Sequence, residues 1–484
     1  MTQTVRTRFA PSPTGYMHLG NLRTAIYAYL IARSQGGAFI LRIEDTDQER
    51  YVEGSLEVIY DTLRLCGLEY DEGPDRGGSY DPYVQSQRKD IYLDHARKLV
   101  AAGGAYYCFC AKERLDSLRQ ESEKSGLAFR YDGRCKALSP DTAKARVRNG
   151  EAFVVRQRIP DSGATAFEDI IYGRVEVDHS QLEEGVLLKS DGLPTYNFAN
   201  VVDDHLMGIT HVVRGAEYLS STPKYNLIYK AFGWEVPTLV HLPMIMKDHS
   251  RKLSKRFGDP SFQDLLAQGF LKEAIINYVV LLGWNPKDNR EFFTLEELKK
   301  AFSISGINTA PAIFDIEKLK WMNGEYMRKM PVERFNVLAL PFIRQAVKRT
   351  DVDLNKIGAL VQQRTAVLSD IPARIDFIDQ LPEYDKSLFV NKKAKTDIVN
   401  SLEYLQLCKD ALSNIQTWEH EHIRQKLFEV IESRGLKPNT FLTPLRVALS
   451  GREVTPGGAT ELADLLGRED TLKRINQGLA KLRT

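Results

Sequence analysis

A strand pattern, a loop and a helix pattern open the chain. Val5 to Ala10 predicts a short strand, and apolar residues from Asn21 to Ser34 recur at the three- and four-residue spacings of an amphipathic helix. Gly36 and Gly37 predict the end of that helix, and the apolar run from Phe39 to Ile43 predicts a second, buried strand. This strand–helix–strand unit constrains the fold to an α/β class that contains a parallel sheet.

The same sheet is predicted to continue much later in the chain. Thr210 to Val213 predicts a strand and Thr222 to Phe232 a helix. The region between the two halves carries paired cysteines and strand-like runs such as Phe153 to Ile159, and is interpreted as an inserted domain. After about Met327 the pattern is helical almost throughout, with basic residues interleaved, which predicts a separate all-α region.

Length, charge and cysteine usage limit the function classes. With 484 residues, two or more domains are expected. A net charge of +2 means that a nucleic-acid surface would have to be local. The N-terminus lacks the apolar run of a signal peptide, and the longest apolar stretch, 274–284, is too short to span a bilayer. Five cysteines without a secretory signal favour a reducing cytoplasm, and no membrane role is expected.

The loop after the first strand contains the first chemical motif, Arg8 to Asn21, and runs directly into a helix. A helix N-terminus attracts phosphate, and Gly20 lets a nucleotide approach the backbone closely, with His18 and Asn21 as further donors. A P-loop is excluded because Asn21 and Leu22 stand where its Lys and Ser or Thr are required. The alternative is a proline-rich turn whose histidine merely packs.

The second motif is the basic sequence Lys252-Leu253-Ser254-Lys255-Arg256, which alone would indicate a solvated loop. Together and in this order, the two motifs resemble the HIGH and KMSKS signatures of class I aminoacyl-tRNA synthetases. The departures from them, Asn21, Leu253 and Arg256, resemble variants of the glutamyl subgroup. Further blocks are similar to that subgroup over essentially the whole chain, namely 10–15, 41–47, 196–204 and 221–223.

The resemblance implies a Rossmann-like catalytic domain with an α+β insertion and an all-α anticodon-binding region. The implied parts are catalytic residues 1–98 and 197–245, an acceptor-binding insertion at 99–196, a stem-contact region at 246–326 and a helical domain at 327–484. The implied activity is the activation of L-glutamate by ATP with Mg²⁺, followed by transfer to tRNA(Glu). Use of tRNA(Gln) is left open, and a cytoplasmic monomer is expected.

The resemblance also implies the site residues, matched position by position. The implied catalytic residues are His18, Asn21, Lys252 and Lys255. The implied ATP-binding residues are Pro11, Ser12, His18, Gly20, Asn21 and Lys255. The implied glutamate-binding residues are Arg8, Ser12, Glu44, Tyr196, Asn200, Arg214 and Glu217. Arginines suit such a pocket because a guanidinium holds a carboxylate through two parallel hydrogen bonds, which a neutral amide cannot reproduce.

Three cysteines, Cys108, Cys110 and Cys135, resemble the zinc knuckle of part of this family. A structural zinc site prefers four ligands, and Ala137 stands where many relatives carry histidine. Tyr131 is the candidate fourth ligand, and a metal-free knuckle with reduced thiols is the alternative. The histidines of the sequence 420–422 lie two residues apart on a predicted helix and point in different directions, which indicates a solvated face.

Four other functions agree less well with the sequence. A glutaminyl-tRNA synthetase usually has Pro-Glu-Pro-Asn where this chain has Pro-Ser-Pro-Thr at 11–14. The glutamyl-queuosine enzyme lacks an anticodon-binding domain, and a small-molecule nucleotidyltransferase would leave the helical C-terminus unexplained. A non-catalytic RNA-binding paralogue would be expected to have lost His18 or Lys255.

Overall fold

A computed structural model describes residues 4–126, 129–253 and 258–484. The chain divides into two compact units. The first consists of Met1–Leu265 and Ile275–Asp315, and the second of Leu266–Ala274 and Ile316–Thr484. Lys255 lies outside the described residues.

The first unit contains all the strands within the described ranges. They are β1 (Arg6–Phe9), β2 (Ala38–Leu41), β3 (Ala105–Cys108), β4 (Val154–Gln157), β5 (Ala164–Asp169), β6 (Gly173–Asp178), β7 (Val186–Leu188), β8 (His211–Gly215), β9 (Thr238–Leu242), β10 (Ile245–Met246) and β11 (Ala312–Ile313). Its helices are α1 (Leu19–Ser34), α2 (Ser55–Cys66), α3 (Lys89–Ala101), α4 (Lys112–Lys124), α5 (Pro140–Arg148), α6 (Tyr196–Leu206), α7 (Thr222–Phe232) and α10 (Leu295–Ala301). The chain passes from one unit to the other at three positions. Two fall within α8 (Phe262–Ala267) and α9 (Lys272–Leu281), and the third directly follows Asp315.

The largest sheet has the strand order β2-β1-β8-β9-β5-β6. Every neighbouring pair is parallel except the hairpin of β5 and β6. The predicted parallel α/β sheet built from two separated halves of the chain is therefore confirmed. Because β1, β8 and β9 are parallel, their carboxyl ends lie at one edge of the sheet.

Helix α1 is buried more completely than its amphipathic pattern indicated. Tyr27, Ala28 and Tyr29 are buried along with Leu22 and Ile26, so that side chains on opposite faces avoid water. The reason is that α1 packs against the large sheet and also against α10, which begins at Leu295. A helix covered on both sides is buried on opposite faces, and in α1 this burial includes the polar Arg23.

The residues between the two halves of the large sheet contribute to two sheets. Strands β3, β4 and β7 form an antiparallel sheet whose core is shared with α3, α6 and α7. Strands β5 and β6 instead extend the large sheet beyond β9. The range 99–196 therefore also supplies one edge of the large sheet.

The second unit is helical over most of its length. Its helices are α11 (Ile316–Lys329), α12 (Val332–Ala346), α13 (Leu354–Gln362), α14 (Ile371–Ile375), α15 (Ile398–Ser413), α16 (His420–Ser433), α17 (Pro438–Ser450) and α18 (Ala459–Arg483). They enclose one apolar core that includes Phe335, Phe377, Leu405 and Phe441. The predicted all-α C-terminal region is confirmed. Among the described residues, none of the helices in either unit combines the length and apolarity needed to cross a bilayer.

Candidate active site

A cavity of about 780 Å³ opens at the carboxyl edge of the large sheet. Its walls come from the loop after β1, from the segment after β8 that includes Glu217 and Tyr218, and from Pro243 and Met244 after β9. The loop that precedes α6 closes another side. The carboxyl edge of a parallel sheet is where α/β proteins usually bind ligands.

The structure brings most of the predicted site residues to this cavity. Those that line it are Arg8, Pro11, Ser12, His18, Gly20, Asn21, Glu44, Tyr196, Arg214, Glu217 and Lys252. Asn200 does not line the cavity, since it is buried in α6, where its amide nitrogen has no hydrogen-bond partner in the structure as described. Lys252 lies on the rim, with its Nζ 3.4 Å from Glu217 Oε1, and both side chains are about half exposed.

His18 is the N-cap of α1. Its backbone is extended, and its ring Nδ1 accepts a hydrogen bond from the Gly20 backbone N–H at 3.0 Å. Because Nδ1 accepts, a neutral ring carries its proton on Nε2, which is then a donor. Gly20 is favoured by this contact, since a Cβ at that position would meet His18 Nδ1 at 3.3 Å. The loop thus presents a helix N-terminus and an imidazole donor to the same cavity.

A buried ionic network forms the floor of the cavity beneath Arg8 and Glu44. Arg8 donates to both carboxylate oxygens of Asp204, at 3.0 and 3.3 Å, and to the Val213 carbonyl at 3.1 Å. Arg42, which is fully buried, bridges Asp204 and Glu44 at 2.8 and 3.0 Å. Burial opposes the ionisation of Asp204, but Arg8 and Arg42 outweigh it and lower its pKa. Burial raises the pKa of Glu44, although Arg42 and Arg8 both act to lower it.

Arg214 is a second buried cation that lines the cavity and is held by several contacts. Its Nε donates to His241 Nε2 at 3.0 Å, and its Nη2 donates to Thr222 Oγ1 at 2.9 Å. The guanidinium carbon also lies over the rings of Tyr218 and Tyr225, at 5.4 and 4.7 Å from their centroids. Arg214 is only 6% exposed, so its position is set by the protein rather than by solvent.

Comparison with known proteins gives the family. The model for the catalytic domain of class I tRNA synthetases (E and Q) matches residues 4–321, and the anticodon binding domain model matches 334–479. A glutamate–tRNA ligase of Clostridium tetani is 57% identical over 99% of this chain and 98% of its own length. One of Clostridium acetobutylicum is 55% identical over 99% of both chains. The chain belongs to the glutamate–tRNA ligase family.

Solved structures of this family agree with the fold. A glutamate tRNA ligase from Elizabethkingia meningosepticum, in complex with its amino acid, is 36% identical, with a TM-score of 0.89 over 99% of this chain and 100% of the other. The glutamate–tRNA synthetase of Elizabethkingia anophelis is also 36% identical, with a TM-score of 0.88. The likeness to these structures extends over both the catalytic domain and the helical C-terminal region.

Several residues that line the cavity of this ligase-family chain were not predicted from the sequence. Arg23, buried on α1, donates to the backbone carbonyls of Leu282 and Pro243, and burial lowers its pKa. Lys189 reaches the Thr46 carbonyl at 3.2 Å. Arg23 lies within the helix predicted from Asn21 to Ser34, but nothing in the helical pattern indicates that its side chain faces a cavity.

The three predicted cysteines meet away from the cavity, at the end of β3. Their sulfur atoms all lie within 4.8 Å of one another. The Tyr131 hydroxyl is 3.5 Å from Cys108 Sγ and 3.3 Å from Cys110 Sγ, and Cys110 Sγ is 3.6 Å from Cys135 Sγ. Four ligands around zinc, with Zn–S bonds of about 2.3 Å, would be separated by roughly 3.8 Å, so the donor set fits a tetrahedral site.

Charged and hydrogen-bonding neighbours favour ionised sulfur at Cys108, whereas burial and the neighbouring cysteines raise the pKa of Cys110. Arg156 Nε approaches Cys108 Sγ at 3.3 Å, and Arg114 Nη1 approaches Cys110 Sγ at 3.4 Å. Burial opposes ionisation of Cys108, but its hydrogen bonds to Tyr131 and Arg156 outweigh burial and lower its pKa. N–H donors around sulfur are typical of the surroundings of a metal-bound thiolate.

Proposed function

We propose that this chain activates L-glutamate with ATP and transfers it to the 3′-terminal adenosine of tRNA(Glu), releasing AMP and pyrophosphate. The observation that carries the proposal is the cavity. It joins the predicted phosphate-binding loop to the predicted carboxylate-binding arginines, in a chain that is similar over its full length to glutamate–tRNA ligases.

In the first step an oxygen of the glutamate α-carboxylate attacks the α-phosphorus of ATP, which enters as its magnesium complex. The bond to the bridging oxygen breaks, and pyrophosphate leaves with its electron pair. The N-terminus of α1, with His18 Nε2–H and the amide of Asn21, would donate to the phosphate oxygens. Lys255 and Lys252 would offset the negative charge that grows during this displacement.

Glutamate recognition is assigned to the opposite wall of the cavity. Arg214 has N–H groups beyond those bound to His241 and Thr222, and these would grip a substrate carboxylate. Arg8 is already bonded to Asp204 and Val213, so it would act mainly through its charge. Glutamine would leave the Arg214 cation buried and unpaired, which explains why the site prefers glutamate.

Four further residues complete the proposed glutamate site. Glu44 would accept from the ammonium group of the substrate, and Tyr196 and Glu217 would shape the pocket around it. Asn200 does not line the cavity and would act only from behind it, within α6. Tyr196 packs against Tyr218 with ring centroids 5.3 Å apart. Burial raises the pKa of Tyr196 well above its ordinary value, so its hydroxyl stays protonated and can donate.

In the second step the 2′-hydroxyl of the terminal adenosine attacks the adenylate carbonyl carbon, AMP leaves, and the hydroxyl proton is released. We propose that residues 99–196 hold the acceptor end of the tRNA, that 246–326 contact its stem, and that 327–484 contact its anticodon. The match of the anticodon binding domain model to 334–479 supports the last assignment.

We propose that Cys108, Cys110, Cys135 and Tyr131 are the ligands of a structural zinc ion. When bound, it would cross-link the end of β3 to the turn that carries Cys135, and the arginines at the sulfurs would offset the thiolate charge. All five cysteines are free, which supports the proposed cytoplasmic location, and we propose that the enzyme is a monomer.

The function is tested by charging assays with purified tRNA(Glu) and tRNA(Gln), each supplied with radiolabelled glutamate or glutamine. We expect glutamate to be attached to tRNA(Glu), and glutamine to neither tRNA. Attachment of glutamine would overturn the proposed specificity, and no attachment to any tRNA would overturn the proposed reaction. Glutamate on tRNA(Gln) would show that the enzyme accepts both tRNAs.

A further inference from the structure

The side of Arg214 that faces away from the cavity contacts a buried pair of residues. His241 on β9 is completely buried, and its Nδ1 lies 2.7 Å from Asp169 Oδ2 at the end of β5. On the other side of the ring, Nε2 faces Arg214 Nε at 3.0 Å. The order Asp169–His241–Arg214 therefore runs from the interior of the sheet to the cavity wall.

The chemistry of the three groups fixes the tautomer of the histidine. Arginine can only donate, so His241 Nε2 must carry a lone pair and accept from Arg214. Nδ1 then holds the ring proton and donates it to Asp169. The Thr222 hydroxyl oxygen accepts from Arg214 at 2.9 Å, and its own proton faces two acceptors, the Tyr218 carbonyl at 2.8 Å and His241 Nε2 at 3.2 Å.

Asp169 is held rigidly in this arrangement. Its Oδ1 accepts from the backbone N–H groups of Ile171 and Tyr172, each at 2.9 Å, and its Oδ2 also accepts from the His241 backbone N–H at 3.1 Å. Burial opposes ionisation of Asp169, but these donors outweigh it and lower its pKa. The parallel pairing of Asp169 with Leu239 places His241 beside the carboxylate.

We propose that Asp169 and His241 are positioning residues that hold Arg214 in the one orientation in which its other N–H groups face the cavity and receive the carboxylate of glutamate. The proposal rests on the glutamate-binding role proposed for Arg214. It adds that this role depends on an ionised carboxylate and a neutral imidazole behind the guanidinium. Neither residue lines the cavity, so neither touches the substrate.

Asp169→Asn tests the tautomer directly with little change of shape. The amide oxygen of the new side chain is required by the N–H groups of residues 171 and 172, so its NH₂ group faces His241 Nδ1 and donates to it. The same NH₂ group also opposes the His241 backbone N–H, which the native Oδ2 accepts, so substitutions at His241 are needed to separate this backbone effect from the tautomer. The ring proton moves to Nε2, where it opposes the Arg214 Nε–H. We expect the glutamate KM to rise about 10- to 100-fold, as for a lost hydrogen bond to a charged group, with the ATP KM unchanged.

Two substitutions at His241 separate positioning from packing. His241→Leu removes both ring contacts and should raise the glutamate KM as Asp169→Asn does. His241→Gln keeps a donor for Asp169 and an acceptor for Arg214, and should recover most of the loss. His179→Gln is the matched control, because this buried histidine also bonds through both ring nitrogens but does not line the cavity.

Each variant is compared with Arg214→Gln in steady-state charging of tRNA(Glu), and melting temperatures are recorded to establish folding. The inference is overturned if folded Asp169→Asn or His241→Leu keeps the wild-type glutamate KM, or if both substrate KM values rise equally. Should Asp169→Asn not fold, the difference between His241→Leu and His241→Gln decides. An unchanged glutamate KM in Arg214→Gln would overturn the proposed role of Arg214 itself.

Discussion

Lys255 is the residue whose loss should lower the rate of activation most. Lys255→Ala removes a cation that offsets the charge growing on the phosphates, so adenylate formation should fall by roughly two to three orders of magnitude. The measurement is glutamate-dependent exchange of pyrophosphate into ATP with tRNA present. Lys287→Ala, in an exposed turn, is the control and should exchange normally. Near wild-type exchange by Lys255→Ala would contradict the phosphate-neutralising role assigned to the basic motif at 252–256.

His241 should make stability depend on pH. Burial lowers its pKa below the ordinary value of 6.5, Arg214 lowers it further, and Asp169 and Glu217 oppose them. The unfolded chain therefore takes up a proton at a higher pH than the folded one, and stability falls as the pH drops from 6.5 through the folded pKa. His241→Gln lacks this titration.

Urea unfolding of the wild type and His241→Gln between about pH 7.5 and 5 checks this expectation. The difference in unfolding free energy between the two proteins should be constant above pH 6.5 and should shift against the wild type below it. The comparison cancels other groups that titrate in the same range, such as His205 and His211. Parallel curves over the whole range would show that His241 does not change its protonation on unfolding.

Single residues could be predicted where a short motif carries them or where the family resemblance supplies them, as for Arg214 and Glu217. His18, Gly20 and Asn21 lie together in the sequence, and all three line the cavity. Asp169 and His241 are 72 residues apart and meet only because β5 pairs with β9. No local pattern encodes that pairing, since strand order depends on the whole fold.

Elements were predicted best where start and stop signals are local. The helix expected from Thr222 to Phe232 has those bounds in the structure, because Pro223 lies in its first turn and Gly233 ends it with a φ of 71°. The hairpin of β5 and β6 was not assigned. Most of its side chains are at least partly exposed, so the period-two apolar signal of a half-buried strand is weak.

The knuckle between β3 and the turn at Cys135 should retain zinc through Tyr131. Tyr131→Phe removes an oxygen that contacts two sulfur atoms, so zinc affinity should fall by at least about ten-fold. Metal content is measured after dialysis against a graded series of chelator concentrations. Tyr107→Phe, on β3 next to Cys108, is the control. Equal zinc retention in Tyr131→Phe and the wild type would exclude the tyrosine as a ligand, and a wild type that binds no zinc would leave the metal-free knuckle.

At the scale of the whole molecule, the length of 484 residues indicated more than one domain, and the chain has two compact units, each with its own apolar clusters. The helical character of the second unit followed from its apolar periodicity. The positions that divide the two units could not be predicted from the sequence. Residues 266–274 belong to the second unit, although the rest of that unit begins only after residue 315. No sequence pattern marks a boundary at this segment, and only its packing assigns it to the second unit.

Binding of tRNA should depend on salt in a way that separates charge from specificity. The net charge is only +2, so affinity for a polyanion must come from local contacts between basic side chains and phosphates. Each such contact releases counterions and adds roughly 0.7 to 0.9 to the slope of log affinity against log salt. Specificity is instead expected to come from splayed anticodon bases, which carry no charge of their own.

A tRNA(Glu) with an altered anticodon should therefore bind more weakly at every salt concentration but with nearly the same slope. Fluorescence anisotropy between about 50 and 200 mM KCl, a range over which several phosphate contacts lower affinity by orders of magnitude, measures both quantities. The full-length enzyme is used, so both units are present. If the altered tRNA binds as tightly as the natural one, the helical unit does not recognise the anticodon. If the slope collapses with the base change, the anticodon is held through its phosphates rather than its bases.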